Sequence, residues 1–289
     1  MRIPDEWQNS PVFLYPSEHD AHEGTKTGGS GFLLGFDSER IPGMQTVYLV
    51  TNAHVIEGGN CTARVNKLDG TSDVIDLDER EWITPSSGDD IAIFKMSRFL
   101  SRDVHSYVCV PNRMIATREK VAEFGIGPGD ETVTIGRFIN ADGMRRNTPT
   151  VRFGNIAQMP IEPIEQDRFL IGSTKRYRQE SYLVESKSIS GFSGSLVFAH
   201  LSPMSKRPEN KPHSWETFLL GISWGYIMAW EPVEGAGDGA RVRTNTGMMG
   251  VVPAWVLSDL LMRPDISTAR SVGEDQHLQW QAFSGRSTE

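Results

Sequence analysis

The chain lacks any long hydrophobic run. No uninterrupted apolar stretch approaches the roughly 20 residues that a helix needs to span a bilayer. The N-terminal segment, residues 1–10, also lacks the apolar core of a secretory signal. We therefore expect a protein with no membrane partner.

Cysteine is scarce as well. The 289 residues contain two cysteines, Cys61 and Cys109. Secreted domains often carry several disulfides, so this low count favours a reducing compartment and predicts a cytoplasmic protein. We expect two free buried thiols, with a Cys61–Cys109 bridge as the alternative.

Positive charge is in deficit. There are 29 Lys and Arg residues against 37 Asp and Glu, which gives a formal net charge of −8. Phosphate binding needs a basic surface, so no nucleic-acid partner is expected. A local basic run at residues 175–178 is interpreted as a solvated loop face.

Short apolar runs separated by Gly, Pro and Asp fill most of the chain. After an N-terminal extension at residues 1–24, with a candidate first strand at 11–15, a main domain is expected at 25–262. Its predicted strands include 61–66, 73–77 and 90–96, and a second set begins at residue 121. This spacing indicates an all-β barrel or sandwich rather than alternating βαβ units.

The remaining segments are predicted as follows. Pro253 suits a helix start, and an amphipathic helix is expected over 253–262. Residues 202–214 and 231–247 are expected to form loops. Residues 263–289 are expected to form a polar, mobile tail.

Three segments carry residues for nucleophilic catalysis. Ser193 lies between Gly191 and Gly194, His54 follows a strand-like run, and Asp90 precedes another. A serine hydroxyl needs a base to take its proton, and a histidine needs a carboxylate to fix its tautomer. The glycines permit a tight turn whose N–H groups can bind an oxyanion.

The segments resemble the motifs of chymotrypsin- and trypsin-like serine peptidases, in the same His–Asp–Ser order. Residues 49–56 (LVTNAHVI) are similar to the histidine motif, residues 90–93 (DIAI) to the aspartate motif, and residues 191–195 (GFSGS) to the serine motif. Two supporting motifs, residues 221–225 (GISWG) and 250–253 (GVVP), also match. The last resembles the end of bacterial Do-like (HtrA) peptidase domains, here without a PDZ domain.

The resemblance implies two six-stranded β-barrels, at about 25–110 and 121–252, with the catalytic site between them. It implies a serine endopeptidase that cleaves a protein or peptide substrate without a metal or an organic cofactor. His54 and Asp90 would come from the first barrel and Ser193 from the second. The N–H groups of Gly191 and Ser193 would form the oxyanion hole. The resemblance makes no prediction of oligomeric state.

The resemblance also implies a substrate-binding set. Its members are Lys187, Ser188, Ser223, Trp224, Gly225 and Gly250. Lys187 and Ser188 would lie at the floor of the primary specificity pocket, with Gly225 and Gly250 on its walls. If Lys187 points inward, an acidic side chain before the cleaved bond is favoured; if it points to solvent, the pocket is small or apolar.

The sequence departs from the trypsin pattern beside the serine. Phe192 occupies the place of the aspartate that pairs with a freed N-terminus in secreted trypsins, so we expect no activation by N-terminal cleavage. Ser195 and Leu196 replace the usual glycine and proline. Asp89 is the competitor for the role of Asp90, and its adjacency to a turn favours a capping role instead.

Two other functions fit the same residues. The first is a catalytically silent barrel that binds peptides by strand addition along residues 221–225. The second is an esterase, which shares the nucleophile chemistry, although the order of the motifs is that of peptidases.

Overall fold

The computed structural model describes residues 2–285, except 27, 171–172, 205–206, 208–210, 212–214 and 236–238. The described chain is mostly β-structure. It comprises an open seven-stranded sheet and a closed six-stranded barrel. The strands are β1 (Pro11–Tyr15), β2 (Gly29–Asp37), β3 (Gln45–Thr51), β4 (Thr62–Asn66), β5 (Ser72–Asp76), β6 (Ala92–Lys95), β7 (Val110–Pro111), β8 (Glu131–Gly136), β9 (Thr150–Gln158), β10 (Ile164–Leu170), β11 (Ser173–Gln179), β12 (Tyr182–Glu185), β13 (Leu196–Leu201), β14 (Glu216–Pro232) and β15 (Arg241–Pro253). The helices are α1 (Glu18–Glu23), α2 (Ala53–Glu57), α3 (Arg118–Phe124), α4 (Ala254–Leu261) and α5 (Pro264–Gly285).

The first sheet has the strand order β5-β4-β1-β2-β3-β6, with β7 paired in parallel to β2. All five residues of β1 are buried, because the strand lies between β2 and β4. The apolar run of the expected N-terminal extension at 1–24 thus forms an internal strand of this sheet. The prediction of a six-stranded first barrel is wrong, because this sheet has seven strands and its edge strands β5 and β6 do not pair with each other.

A short helix, α1, follows β1. The Ser17 hydroxyl accepts a hydrogen bond from the backbone N–H of Asp20 at the start of this helix. Gly24 ends it with φ of 66°, a left-handed conformation that glycine adopts without steric cost. Capping residues at both ends thus allow a polar segment to form a helix.

The second unit is a closed barrel with the order β12-β15-β14-β13-β8-β9. A six-stranded barrel in this part of the chain is confirmed. Strands β10 and β11 form a separate two-stranded hairpin, and β10 lies against α2. This hairpin therefore brings part of the second half of the chain to the first sheet.

Two sequence predictions within this unit are corrected. Of the loop expected at 231–247, residues 231–232 and 241–247 instead form the ends of the long strands β14 and β15, which pair out to Pro232 and Arg241. Residues 121–126 were expected to form a strand but lie mostly in α3, which Thr117 caps and Gly125 ends at φ of 63°. The predicted loop at 202–214 falls largely outside the described residues.

One apolar core joins the sheet to the barrel. Phe32 and Val50 from the first sheet belong to the same buried cluster as Ile135 and Leu196 from the barrel. Full burial of side chains of this size stabilises a fold by about 1.5–3 kcal/mol each. The two units therefore pack face to face, and the loops at their junction are held in a fixed relation.

The C-terminal segment is helical. The predicted helix at 253–262 is confirmed as α4, whose start follows Pro253. The tail expected at 263–289 is helical over most of its described part, where residues 264–285 form α5. Arg270 of α5 is buried; its guanidinium donates to the carbonyl of Leu261 at 2.7 Å and lies 3.8 Å from the ring centre of Phe36. None of the described helices has the length and apolar character needed to cross a membrane.

Candidate active site

His54 and Asp90 meet at the edge of the first sheet. Strand β3 ends at Thr51, and the chain then turns into α2, which carries His54 in its first turn. Asp90 lies just before β6, the strand that pairs with β3. The His54 Nδ1 to Asp90 Oδ2 distance is 2.6 Å, and the His54 backbone N–H donates to Asp90 Oδ1 at 2.9 Å. Both carboxylate oxygens of Asp90 thus contact the same histidine.

The main chain of Asp90 is held on both sides. The side-chain amide of Asn52 donates to the Asp90 carbonyl at 2.7 Å, and the Asp90 N–H donates to Gln179 Oε1 at 3.1 Å. Asp90 is 2% exposed. Its competitor Asp89 lies in the turn before it and accepts a hydrogen bond from the Ser87 hydroxyl instead. The carboxylate facing His54 is that of Asp90.

Ser193 lies in a tight turn before β13. Gly191 and Gly194 have φ of 92° and 85°. A Cβ atom on Gly194 would lie 1.8 Å from the carbonyl oxygen of Ser30. The turn therefore requires glycine at this position, both for its backbone conformation and for its close approach to β2.

Within this turn the backbone donors divide into two groups. The N–H groups of Phe192, Gly194 and Ser195 donate to carbonyls of Ile189, Ser223 and Phe192. The N–H groups of Gly191 and Ser193 donate to no acceptor among the described residues. These two are the donors that the sequence predicted for an oxyanion hole. Unpaired N–H groups beside a nucleophile suit the binding of developing negative charge.

The turn of Ser193 and the segment of His54 converge at Gly29. A Cβ atom on Gly29 would lie 2.8 Å from Val55 Cγ2 and 3.0 Å from the carbonyl oxygen of Ser193. Val55 directly follows His54 in α2, so the serine and histidine segments approach the same point of β2. The serine and histidine segments, which are far apart in sequence, thus both lie against β2 at Gly29.

The Ser193 hydroxyl is turned away from the histidine. Its Oγ donates to the backbone carbonyl of Trp224 at 3.1 Å. The described contacts include no hydrogen bond between Ser193 and His54. The Ser193 hydroxyl is therefore engaged by the backbone of β14 rather than by the imidazole.

The two residues predicted to form the floor of the pocket have different surroundings. Lys187 is exposed, whereas Ser188 is buried. The amide of Asn245 donates to the Ser188 carbonyl at 2.7 Å, and the Ser188 hydroxyl has no hydrogen-bond partner within the described part of the chain. The exposure of Lys187 favours the alternative in which its amine faces solvent.

The residues of β14 and β15 that were predicted to contact substrate differ in the space around them. Ser223 is buried, and the space that a Cβ atom on Gly225 would meet is open within 4 Å. A Cβ atom on Gly250 would instead collide with the indole of Trp224, which donates to the Ser181 hydroxyl at 3.0 Å. Gly250 thus accommodates the Trp224 ring, and the open wall is that of Gly225.

Phe192 is completely buried beside an arginine. The guanidinium carbon of Arg152 lies 4.7 Å from the centre of the Phe192 ring. Burial lowers the pKa of Arg152, a cost that cation–π contact with Phe192 and Phe138 partly offsets. Phe192 thus packs beneath a cation of the barrel and carries no charge that could pair with an N-terminus.

Several residues around the site escaped the sequence analysis. Ser30, Gln179 and Arg152 contact the candidate catalytic residues or their turn. Gln179 and Arg152 are distant in sequence from every motif. Ser30 lies in the glycine-rich segment that begins at Gly28, and the close approach that such glycines permit is the signal that could have found it.

Among the described residues, no group of three or more His, Cys, Asp and Glu side chains is arranged to hold a metal ion.

Comparison of the chain with protein-family models gives no match, and comparison with curated proteins gives no significant match.

Proposed function

We propose that this chain is a serine endopeptidase related to the trypsin-like peptidases, with His54, Asp90 and Ser193 as its catalytic residues. The observation that carries the proposal is the His54–Asp90 pair at 2.6 Å. Two further features support it: the glycine-bounded turn of Ser193 next to that pair, and the unpaired N–H groups of Gly191 and Ser193. The open sheet facing a closed barrel is compatible with that family's architecture.

In the proposed mechanism the Ser193 hydroxyl leaves the Trp224 carbonyl and turns to His54. His54 Nε2 takes the proton as Ser193 Oγ attacks the peptide carbonyl, and Asp90 stabilises the resulting imidazolium. The N–H groups of Gly191 and Ser193 bind the oxyanion. Collapse of the tetrahedral intermediate expels the amine, which receives the proton from His54. Water then hydrolyses the acyl-enzyme by the same route.

The substrate would lie along β14, next to Gly225, where the surface is open. Exposure of Lys187 supports a pocket with no preference for an acidic side chain before the cleaved bond. Profiling of a peptide library tests this, since enrichment of Asp or Glu at that position would restore the inward-pointing alternative. The free thiols of Cys61 and Cys109 support action in a reducing compartment such as the cytoplasm.

The proposal is tested with a fluorophosphonate probe that reacts with activated serines. We expect labelling of the unmodified protein, loss of labelling in Ser193→Ala, and retention in Ser190→Ala, which removes an exposed hydroxyl three residues away. Cleavage of a peptide library should follow the same pattern. If the unmodified protein neither reacts nor cleaves peptides, the proposal is wrong.

A catalytically silent peptide-binding module is the second candidate. The observation that favours it is the bond from Ser193 Oγ to the Trp224 carbonyl, which withholds the hydroxyl from His54. In that case peptides should bind with an affinity that Ser193→Ala leaves unchanged, and no product should form. Probe labelling without peptide cleavage would point instead to an esterase.

A further inference from the structure

Ser30 makes a set of contacts that no motif assigned. It lies on β2 and is fully buried. Its N–H donates to the carbonyl of Ser193 at 2.7 Å, and its hydroxyl donates to the carbonyl of Gly191 at 2.8 Å. The same hydroxyl accepts from the N–H of Arg137 at 2.9 Å, and the Ser30 carbonyl accepts from Thr51 Oγ1 at 2.7 Å. Every polar group of Ser30 is therefore engaged.

We propose that Ser30 is a positioning residue, which fixes the turn of Ser193 so that the N–H groups of Gly191 and Ser193 face the substrate. This inference rests on the proposed function. Ser30 holds the carbonyls of Gly191 and Ser193, one on each side of the Ser193 N–H. With both carbonyls held, the one peptide unit between them, which carries the Ser193 N–H, has little freedom to rotate, and the Gly191 N–H lies on a residue whose carbonyl is anchored. The donors thus stay oriented before substrate arrives, as electrostatic stabilisation requires.

Ser30 acts through its hydroxyl, and Arg137 determines how that hydroxyl is directed. A hydroxyl has one proton. Because the Ser30 hydroxyl accepts from the backbone N–H of Arg137, its proton is left to donate to the Gly191 carbonyl. Arg137 is itself fixed, since its buried guanidinium donates to the Leu14 carbonyl at 3.2 Å and to Asp142 at 2.6 Å. The Tyr15 ring lies 4.1 Å from the same guanidinium.

A second buried arginine, Arg64, also joins the segment between β8 and β9 to the first sheet. Arg64 of β4 donates to Asn147 Oδ1 at 2.8 Å and to the carbonyls of Gly143 and Met144. The segment between β8 and β9 is therefore attached to the first sheet at both Arg137 and Asn147. This attachment keeps the Arg137 N–H opposite Ser30 and makes the nucleophile turn depend on contact between the two units.

The turn needs such a support because its own sequence offers little. Both of its glycines have positive φ, and Phe192 can form no ion pair at its centre. Ile139, two residues beyond Arg137, packs against the other side of the turn: a Cβ atom on Gly191 would lie 2.4 Å from Ile139 Cγ2. Ser30 and the segment from Arg137 to Ile139 thus contact the turn from two directions.

The test compares Ser30→Ala with Ser10→Ala. Ser10 is also a buried serine of the first unit, but its hydroxyl contacts the Leu33 carbonyl and not the turn of Ser193. We expect Ser30→Ala to lower kcat about 10- to 100-fold, because it leaves the Gly191 carbonyl and the Arg137 N–H unpaired. The inhibition constant of a peptide boronate, which forms a tetrahedral adduct, should rise by a similar factor. KM should stay within about threefold.

The different responses of kcat, the boronate inhibition constant and KM separate a positioning role of Ser30 from a general loss of stability. If kcat, boronate inhibition and KM change in Ser30→Ala no more than in Ser10→Ala, the inference is wrong. It is also wrong if kcat and KM change while boronate inhibition stays constant. Thermal unfolding of both variants identifies any shared loss of stability. Ser30→Thr, which keeps the hydroxyl, should restore most of the boronate inhibition wherever that variant folds.

Hydrogen–deuterium exchange tests the inference even in a chain without hydrolytic activity. The backbone amides of residues 189–195 should exchange at least about fivefold faster in Ser30→Ala than in Ser10→Ala, because the turn opens locally without its hydroxyl contact. Equal exchange in the two variants would overturn the positioning role. Absence of probe labelling with faster exchange in Ser30→Ala would instead overturn the proposed function and leave the structural role of Ser30 established.

Discussion

The two halves of the candidate site are built differently. His54 and Asp90 come from neighbouring strands of one sheet and hold each other through two hydrogen bonds. Ser193 lies in a turn of the barrel. The carbonyls and glycines of this turn contact the other unit, chiefly at Ser30. The acid–base half is therefore formed largely within one unit, whereas the nucleophile half depends on the docking of two.

The largest expected effect comes from the acid–base half. Asp90→Asn keeps the size of the side chain but removes the charge that stabilises a protonated His54, and we expect kcat to fall by about 10⁴-fold. Asp89→Asn, one residue away and facing Ser87, is the matched control and should stay within about twofold. Peptide hydrolysis measures both. An equal loss of kcat in the two variants would mean that Asp90 is not the catalytic carboxylate.

The nucleophile half should be sensitive to a single methyl group. Gly194→Ala places a Cβ atom 1.8 Å from the Ser30 carbonyl at φ of 85°, so the turn must move, and we expect hydrolysis to fall more than about 100-fold. Gly70→Ala has a similar φ of 84° with open space around its Cβ. This control should lower stability by about 1–2 kcal/mol and leave hydrolysis unchanged. Similar kinetics for the two would show that the close approach is unimportant.

Gln179 tests how self-contained the acid–base half is. It belongs to β11, outside the first sheet, yet its Oε1 accepts from the Asp90 N–H. Gln179→Ala leaves that N–H unpaired, and we expect kcat to fall about tenfold. Glu180→Ala removes only a half-exposed pair with Arg118 and should change kcat less than twofold. No change in Gln179→Ala would confirm that the first sheet alone orients Asp90.

The sequence predicted the first half of the site better than the second. His54 and Asp90 follow and precede strands that pair, so a motif in each strand is enough to bring them together. The support of Ser193 comes from Ser30 and Arg137, which are far from it in sequence and carry no motif of their own. Their contacts arise from the packing of the two units, which local patterns do not encode.

The fold was predictable to a similar degree. Short apolar runs and turn residues located several of the strands, and Pro253 located α4. The errors fall where tertiary contact overrides local composition. Polar α5 is stabilised where it docks through Ile266 and Arg270, and β1 becomes an internal strand through its two neighbours. The closure of the barrel and the openness of the first sheet depend on long-range pairing, which no single stretch of sequence specifies.

Alkaline pH should weaken the first unit selectively. Burial raises the pKa of Cys61 to about 12 and that of Cys109 to about 11. Both thiols are buried in the first unit, Cys109 within the core of the first sheet and Cys61 directly before β4. Unfolded cysteines ionise near pH 8.5, so above that pH the unfolded chain binds fewer protons than the folded one and stability falls as pH rises. Thermal unfolding between pH 8 and 10.5 should show this decline. Cys61→Ala/Cys109→Ala should reduce its slope, and an unchanged slope would assign the decline to other groups.

The smallest expected effect concerns the N-terminus. Phe192 is uncharged, fully buried and covered by Arg152, so the turn of Ser193 has no ion pair to make with a freed α-amino group. Residues added before Met1 should therefore leave kcat/KM within about twofold of the unmodified chain, since the nucleophile half takes its support from Ser30 and Arg137. Measurement before and after removal of a cleavable extension is the direct comparison. Activity that appears only after removal would mean that the N-terminus contributes to the turn and that contact between the two units is not enough to order it.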